Sequence, residues 1–358
     1  MLPIPDGPEK LTPDWLTEAL RGSETISEAS VLSVRIDPTA VRKGNLGRLD
    51  RIIVEYDRVE PGAPASMIAK FHPPEIELRK FVAEANLTEV RFYEEVAPWI
   101  RMRTPRRFHS AVDERSGDSV LLLEDLGAYR QIDEIPGCTV AEAELIIRRL
   151  ASLHARWWNS PQLDDFGWLR PFNESFSVAI TGDPVRDFDG PLPDSVRVIG
   201  AAIKKRFMDL FDLQSRPPRT IALNDIKIRH VLFSPEPGSH DFAIVDFQLV
   251  VQARGALDLA RFFGGSLDTE LRRSSEMRLL DSYQQQLVAG GVEGYSLEDC
   301  LTDYRLGHLQ NLTDLMAIEA QGLQQRGGDR AVEIQRVQLA RYAAAIVDLD
   351  CGELLSGG

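Results

Sequence analysis

A lysine stands inside an otherwise apolar strand. The run Ser66-Met67-Ile68-Ala69-Lys70-Phe71 has the short, apolar character of a buried strand, with turn residues Pro61-Gly62 and Pro64 before it. An ammonium buried alone costs several kcal/mol, so the fold must bring an anionic group to Lys70. The next segment offers one. From Ile76 to Ile100 the spacing predicts one helix, broken near its start if anywhere, with Val82, Ala85, Glu89, Phe92, Tyr93 and Val96 on one face. Glu89 is the acid on that apolar face. The alternative is two unrelated residues that both reach solvent.

The elements around this pair change character along the chain. Thr12-Pro13-Asp14 starts a helix that ends near Arg21-Gly22. Strands follow at Val31–Ile36, Arg51–Tyr56 and Ser66–Phe71, and a hairpin at Arg107–Val112 and Ser119–Leu126. After Gly127 the pattern is mostly helical. Thr139-Val140-Ala141-Glu142 reads as a capping box opening a helix whose inner stripe is Ala143, Ile146, Ile147, Leu150, Leu153, His154 and Trp157. A second hairpin, His230–Phe233 and Phe242–Phe247, interrupts the helices, which resume from Leu257. At 358 residues the chain exceeds the usual single-core size. The expectation is an α+β, bilobal, protein-kinase-like fold: a small β-rich N-terminal nucleotide-binding lobe with its connecting strand over 1–126, and a larger, mainly helical C-terminal lobe over 127–358.

Two aspartates flank the second hairpin. Asp246 closes Phe242-Ala243-Ile244-Val245-Asp246, where a carboxylate at a strand end is placed to hold a divalent cation against phosphates. A helix or turn cap is the plainer reading of Asp246. Asp225 precedes the partner strand, so the hairpin is expected to bring both acids to one end of a small sheet, one to orient a hydroxyl and the other to grip metal.

At these residues the chain resembles the aminoglycoside phosphotransferase and choline kinase superfamily, including bacterial members similar to ecdysteroid kinases. Val120-Leu121-Leu122-Leu123-Glu124-Asp125-Leu126 looks like the family's hinge strand, Glu89-Val90-Arg91-Phe92-Tyr93 like its glutamate helix, and Leu150–Trp158 and Asp258-Leu259-Ala260-Arg261-Phe262 like two segments of its helical lobe. The resemblance implies ATP as cofactor with Mg²⁺. It assigns nucleotide contacts to Gly44, Gly47, Lys70, Glu89, Glu124 and Leu126, metal binding to Asp246, and catalysis to Asp225.

The chain departs from that family in its loops. Where the family reads His-Gly-Asp, four residues, then Asn, this sequence reads Leu223-Asn224-Asp225, four residues, then His230. Arg42 stands where the phosphate loop has another glycine, and Gly44-Asn45-Leu46-Gly47 is a thinned glycine run. Lys227, two residues after the aspartate, can neutralise a transferring phosphoryl group. His230, at the asparagine position, is expected to leave one metal site weak, to shift metal preference toward softer ions such as Mn²⁺, or to mark a chain that no longer transfers phosphate, where it would instead take part in catalysis without ATP. The function implied is ATP-dependent phosphorylation of a small-molecule hydroxyl. The alternatives are different chemistry in the same cleft without ATP, or a pseudokinase.

Charge narrows the partners. The formal net charge is −14 and no run of Lys or Arg forms a stripe, so nucleic acid and anionic membranes are poor partners while a small molecule is easily admitted. Cys138, Cys300 and Cys351 form no C-x-x-C pair, which points to reduced thiols. No apolar run approaches the length of a membrane helix and the N-terminus is unlike a signal peptide, so a cytoplasmic location is expected. Oligomeric state is not legible.

Overall fold

Strand pairing in the N-terminal part follows the sequence pattern closely. The computed structural model describes residues 2–38, 42–43, 47–235, 242–322 and 328–355. Helix α1 (Pro13–Gly22) starts at Thr12, whose side chain accepts from Trp15 N–H. Strands β1 (Val31–Ile36), β2 (Arg42–Lys43), β3 (Arg48–Tyr56), β4 (Ser66–Phe71), β5 (Arg107–Val112) and β6 (Ser119–Glu124) form an antiparallel sheet in the order β1-β3-β4-β6-β5, with β2 on β3. Trp15, Leu16, Ala19 and Leu20 of α1 pack on Ile52, Val54, Met67, Ala69, Val120 and Leu122, alternate residues of central strands, as the period of a half-buried strand requires.

The run expected over 76–100 is broken near its start, where a break was expected if anywhere, and changes character again toward its end. It comprises α2 (Ile76–Phe81), α3 (Ala83–Arg91), a π-helical turn at Phe92–Val96 and a 3-10 turn at Ala97–Trp99. Val82, at φ −94 and ψ 6, interrupts the first join. The widened turn lets Phe92 stack on Phe247 with ring centroids 3.9 Å apart, while Tyr93 meets the same ring edge-on at 5.4 Å.

The chain divides into two compact units, Met1–Arg130 with Phe233–Gln248, and Gln131–Leu232 with Leu249–Gly358. Asp246 therefore belongs to the first unit and Asp225 to the second. The second unit is mainly helical: α4 (Val140–Trp157), α5 (Phe176–Asp187), α6 (Arg197–Ser215), α7 (Ala256–Ser266), α8 (Thr269–Ala289), α9 (Leu297–Ala320) and the helix Gly328–Asp348. The Thr139–Glu142 capping box is present, and the whole predicted inner stripe of α4 is buried. Phe172, Phe207, Phe211, Leu257, Leu309, Leu312 and Ile346 are central to its core. Among the described residues, no helix is long and apolar enough to cross a membrane.

Candidate active site

In the first unit Lys70 finds two acids. Its Nζ lies 2.6 Å from Glu89 Oε2 and 3.3 Å from Asp246 Oδ1. β4 delivers the lysine and α3 the glutamate; Asp246 comes from beyond the strand Phe242–Ile244. The expectation that Asp246 closes that strand is corrected: the strand stops at Ile244, and Asp246 has a left-handed φ of 71, a conformation short polar side chains tolerate better than most. Phe247 N–H reaches Glu89 Oε1 at 3.4 Å and Gln248 Nε2 donates to Asn86 Oδ1 at 2.9 Å, tying this turn to α3.

Burial pushes Lys70 toward losing its proton, but the Asp246 and Glu89 carboxylates outweigh it and hold the ammonium above its ordinary range. Glu89 is pushed up by burial, opposed by Lys70 and reinforced by Asp246. The result is a fixed positive charge beside a carboxylate that keeps solvent access, since the Asp246 side chain is 37% exposed.

The other nucleotide contacts expected in this unit are unevenly placed. Gly44 lies outside the described residues. Gly47 directly precedes β3, and a Cβ there would lie 2.6 Å from the Phe71 carbonyl oxygen, so only glycine lets the loop base approach β4 this closely. Glu124 ends β6, but its carboxylate takes both Arg103 Nη2 contacts at 2.7 Å and the Arg106 N–H at 2.9 Å. Its own N–H donates to the Arg106 carbonyl at 2.8 Å, and the Leu126 carbonyl accepts from Tyr129 N–H at 2.8 Å. The Glu124 carboxylate and the Leu126 carbonyl are therefore engaged within the protein. Asp125 anchors the connection by accepting from Arg51 Nε and Ser66 Oγ, each at 2.6 Å.

In the second unit the loop after the strand Thr220–Ala222 is held by Asp258. Its two oxygens accept Leu223 N–H and Asn224 N–H, each at 2.7 Å, and His154 Nε2 lies 3.2 Å away. Asn224 has a φ of 61, which accounts for the loss of the family glycine: Asn enters the left-handed region at modest cost, and its Nδ2 donates to Ser177 Oγ at 3.0 Å. Asp225 thus leaves a fixed turn. Lys227 Nζ is 2.8 Å from Asp225 Oδ1. Burial alone would raise the Asp225 pKa; Lys227, then His230, Arg229 and Arg261, overcome it and hold the carboxyl well below the usual range.

Both ring nitrogens of His230 are engaged. Its Nδ1 is 2.8 Å from the Asp225 carbonyl oxygen, to which it donates, and its Nε2 accepts from Arg229 Nε at 2.9 Å. A metal ligand needs a lone pair directed at the ion, and the pair on Nε2 is directed at a guanidinium. In this geometry His230 fastens the turn Ile228–His230 to the Asp225 backbone. Sequence reasoning singled out Lys227 but missed the part of Arg261 in the cationic surround of Asp225. Arg261, paired with Asp314, donates from Nε to the Asn224 carbonyl at 3.0 Å. An arginine in the apolar run Ala260–Phe263 was the available signal.

Comparison with known proteins agrees with this plan. Residues 185–291 match the model of the ecdysteroid kinase-like family. No curated protein sequence matches the chain. Among solved structures, a candidate aminoglycoside phosphotransferase from Ralstonia eutropha JMP134 is similar at TM-score 0.57 and 14% identity, covering 95% of this chain and 97% of that one. An aminoglycoside phosphotransferase in complex with GDP and kanamycin gives 0.55 and 14%, covering 92% and 98%. A Plasmodium vivax ethanolamine kinase gives 0.53 and 12%, covering 89% and 83%. The chain has the α+β, protein-kinase-like fold of the aminoglycoside phosphotransferase and choline kinase superfamily.

Proposed function

We propose that this protein transfers a phosphoryl group from ATP to a hydroxyl of a small molecule. The observation that carries the reading is the Lys70 ammonium held between Glu89 at 2.6 Å and Asp246 at 3.3 Å. A lysine kept charged by a buried acid is suited to phosphate oxygens, and the partly exposed Asp246 offers the hard oxygen donor that Mg²⁺ prefers. The donor set fits a magnesium ion completed by phosphate and water. When bound, the ion would supply charge neutralisation at the phosphates. Lys70 would steady the phosphates, and the backbone about Gly47 and Glu124–Leu126 would face the nucleotide. That a protein of this fold holds GDP and kanamycin supports a nucleotide and a hydroxylated small molecule as the substrate pair.

Asp225 would accept the hydrogen bond of the acceptor hydroxyl. A carboxyl held firmly ionised is a poor proton store but a good orienting acceptor, and a loose phosphoryl-transfer transition state asks more for orientation than for early proton removal. Lys227 would offset charge near the transferring group. A reaction without ATP that uses His230 as acid or base needs a ring nitrogen available to substrate, and both are engaged.

The test is calorimetric ATP binding with and without Mg²⁺, followed by transfer of labelled γ-phosphate to a panel of aminoalcohols, aminoglycosides and sterol-like alcohols. Mg²⁺-dependent ATP binding together with a labelled product lost in Asp225→Asn is expected. No ATP binding under any metal condition would sink the reading.

A further inference from the structure

The loop that carries Asp225 is gripped from one helix at two points. α7 is buried along its whole length, and a charged side chain in such a helix is costly unless it is paired. α7 nevertheless carries two, Asp258 and Arg261, three positions apart and so on one face. Both are directed at the same short stretch of backbone. Asp258 accepts the N–H groups of Leu223 and Asn224 at 2.7 Å each, and Arg261 Nε donates to the Asn224 carbonyl at 3.0 Å. The backbone leading into Asp225 is therefore held at its N–H groups by an anion and at its carbonyl by a cation.

We propose that Arg261 is a positioning residue for Asp225: its guanidinium fixes the Asn224 carbonyl, and Asp314 of α9 fixes the guanidinium. The kinetic consequence rests on the phosphotransfer reading above, while the clamp itself rests on the contacts alone. A guanidinium is planar, so its donors keep a fixed angle to one another, and the pairing of Nη2 with Asp314 Oδ2 sets the direction of the Nε bond. Asp314 is itself fixed, because its other oxygen accepts from Gln310 Nε2 at 2.9 Å. On the near side, the Tyr342 hydroxyl donates to the Arg261 carbonyl at 3.3 Å.

The backbone at this point needs outside support. Asn224 has a φ of 61, a conformation that persists only where its surroundings hold it. Its side chain is already committed, with Nδ2 donating to Ser177 Oγ at 3.0 Å and to the Leu249 carbonyl at 3.2 Å. Orientation of the following residue therefore falls to the grip on the backbone. Burial alone would push Asp225 toward protonation, and Arg261 joins Lys227, His230 and Arg229 in preventing it. The plainer role for Arg261, neutralising Asp314, uses Nη2 and leaves the Nε bond unaccounted for.

The test removes the pair without stranding a charge. Arg261→Met with Asp314→Asn takes away both charges and leaves Gln310 an amide oxygen to donate to, so the full-length protein should stay folded, which its melting curve checks. Hydrogen exchange of the backbone over 223–225 should then rise about tenfold, the worth of one lost hydrogen bond, while exchange in α4 keeps its wild-type rate. With ATP and an acceptor, kcat should fall by up to about 100-fold, the scale of a group misplaced by about 1 Å, with ATP affinity and acceptor KM nearly unchanged. Arg261→Lys keeps a charge for Asp314 but loses the fork, and should show the same two changes at smaller size. A merely structural pair would move the melting temperature and neither readout. Wild-type exchange over 223–225 in both folded variants would overturn the clamp, and a loosened loop with wild-type kcat would overturn its role in positioning. A wild-type protein that transfers no phosphate would count against the reaction, and the exchange would still decide the clamp.

Discussion

Lys70 Nζ and Glu89 Oε2 meet at 2.6 Å, with the Glu89 side chain 4% exposed and that of Lys70 18%. The glutamate is therefore the more enclosed member, and removing the lysine strands a carboxylate. Lys70→Ala is expected to cost about 3 kcal/mol of stability, the low end for a broken buried pair because some solvent remains. ATP affinity should fall about 10- to 100-fold, matching one or two lost charge-assisted hydrogen bonds. The double variant Lys70→Met, Glu89→Leu should recover most of the stability and none of the affinity. Denaturant unfolding beside calorimetry separates the two effects; recovery of ATP binding in the double variant would remove Lys70 from the nucleotide site.

This pair was legible because each residue breaks a local rule: a lysine interrupts an apolar strand and an acid occupies an apolar helix face, and each violation is repaired by the other. Strands β1, β4 and β5 and the caps at Thr12 and Thr139 were legible for the same local reasons. The π-helical turn at Phe92–Val96 was not, since periodicity is blind to one extra residue in a turn that stacks Phe92 on Phe247, 155 positions away. The surroundings of His230 were not legible, because its two hydrogen bonds depend on a tight turn that places Arg229 against its own neighbour.

Acid should release the loop that Glu60 clamps. Its carboxylate accepts from Ala29 N–H at 2.7 Å, from Ser27 N–H and Oγ, and from Glu28 N–H, and these bonds draw its pKa down to about 2. A depressed carboxyl stabilises the fold above its unfolded pKa, about 4.3, and that contribution is lost as pH falls through the folded value. Glu60→Gln should therefore melt below the wild type at pH 7, with the gap closing between about pH 4.3 and 2. A gap independent of pH would show that the charge is not what the three backbone amides hold.

The thiols should be silent in the folded protein. Cys138, Cys300 and Cys351 are buried, and burial pushes each pKa up to about 12, leaving almost no thiolate at neutral pH. A disulfide-exchange reagent should label none of them natively and all of them in denaturant. Rapid native labelling of any one would place it in a segment that opens without global unfolding.

His230 decides between a ligand and a fastener. With Nδ1 donating to the Asp225 carbonyl at 2.8 Å and Nε2 accepting from Arg229 at 2.9 Å, its removal unties the turn that carries Lys227 and leaves buried groups unsatisfied. His230→Ala should cost about 1–2 kcal/mol of stability. His230→Asn should cost less, because an amide N–H can still serve the Asp225 carbonyl. Turnover should drop in parallel with stability, and the ratio of Mg²⁺- to Mn²⁺-supported activity should stay the same in both variants. A histidine in the metal shell behaves differently: exchanging a nitrogen for an amide oxygen favours Mg²⁺, so the ratio would rise sharply in His230→Asn while stability changed little. Measuring the two rates side by side therefore reads the role of the ring directly, and a sharp rise toward Mg²⁺ would return His230 to the metal.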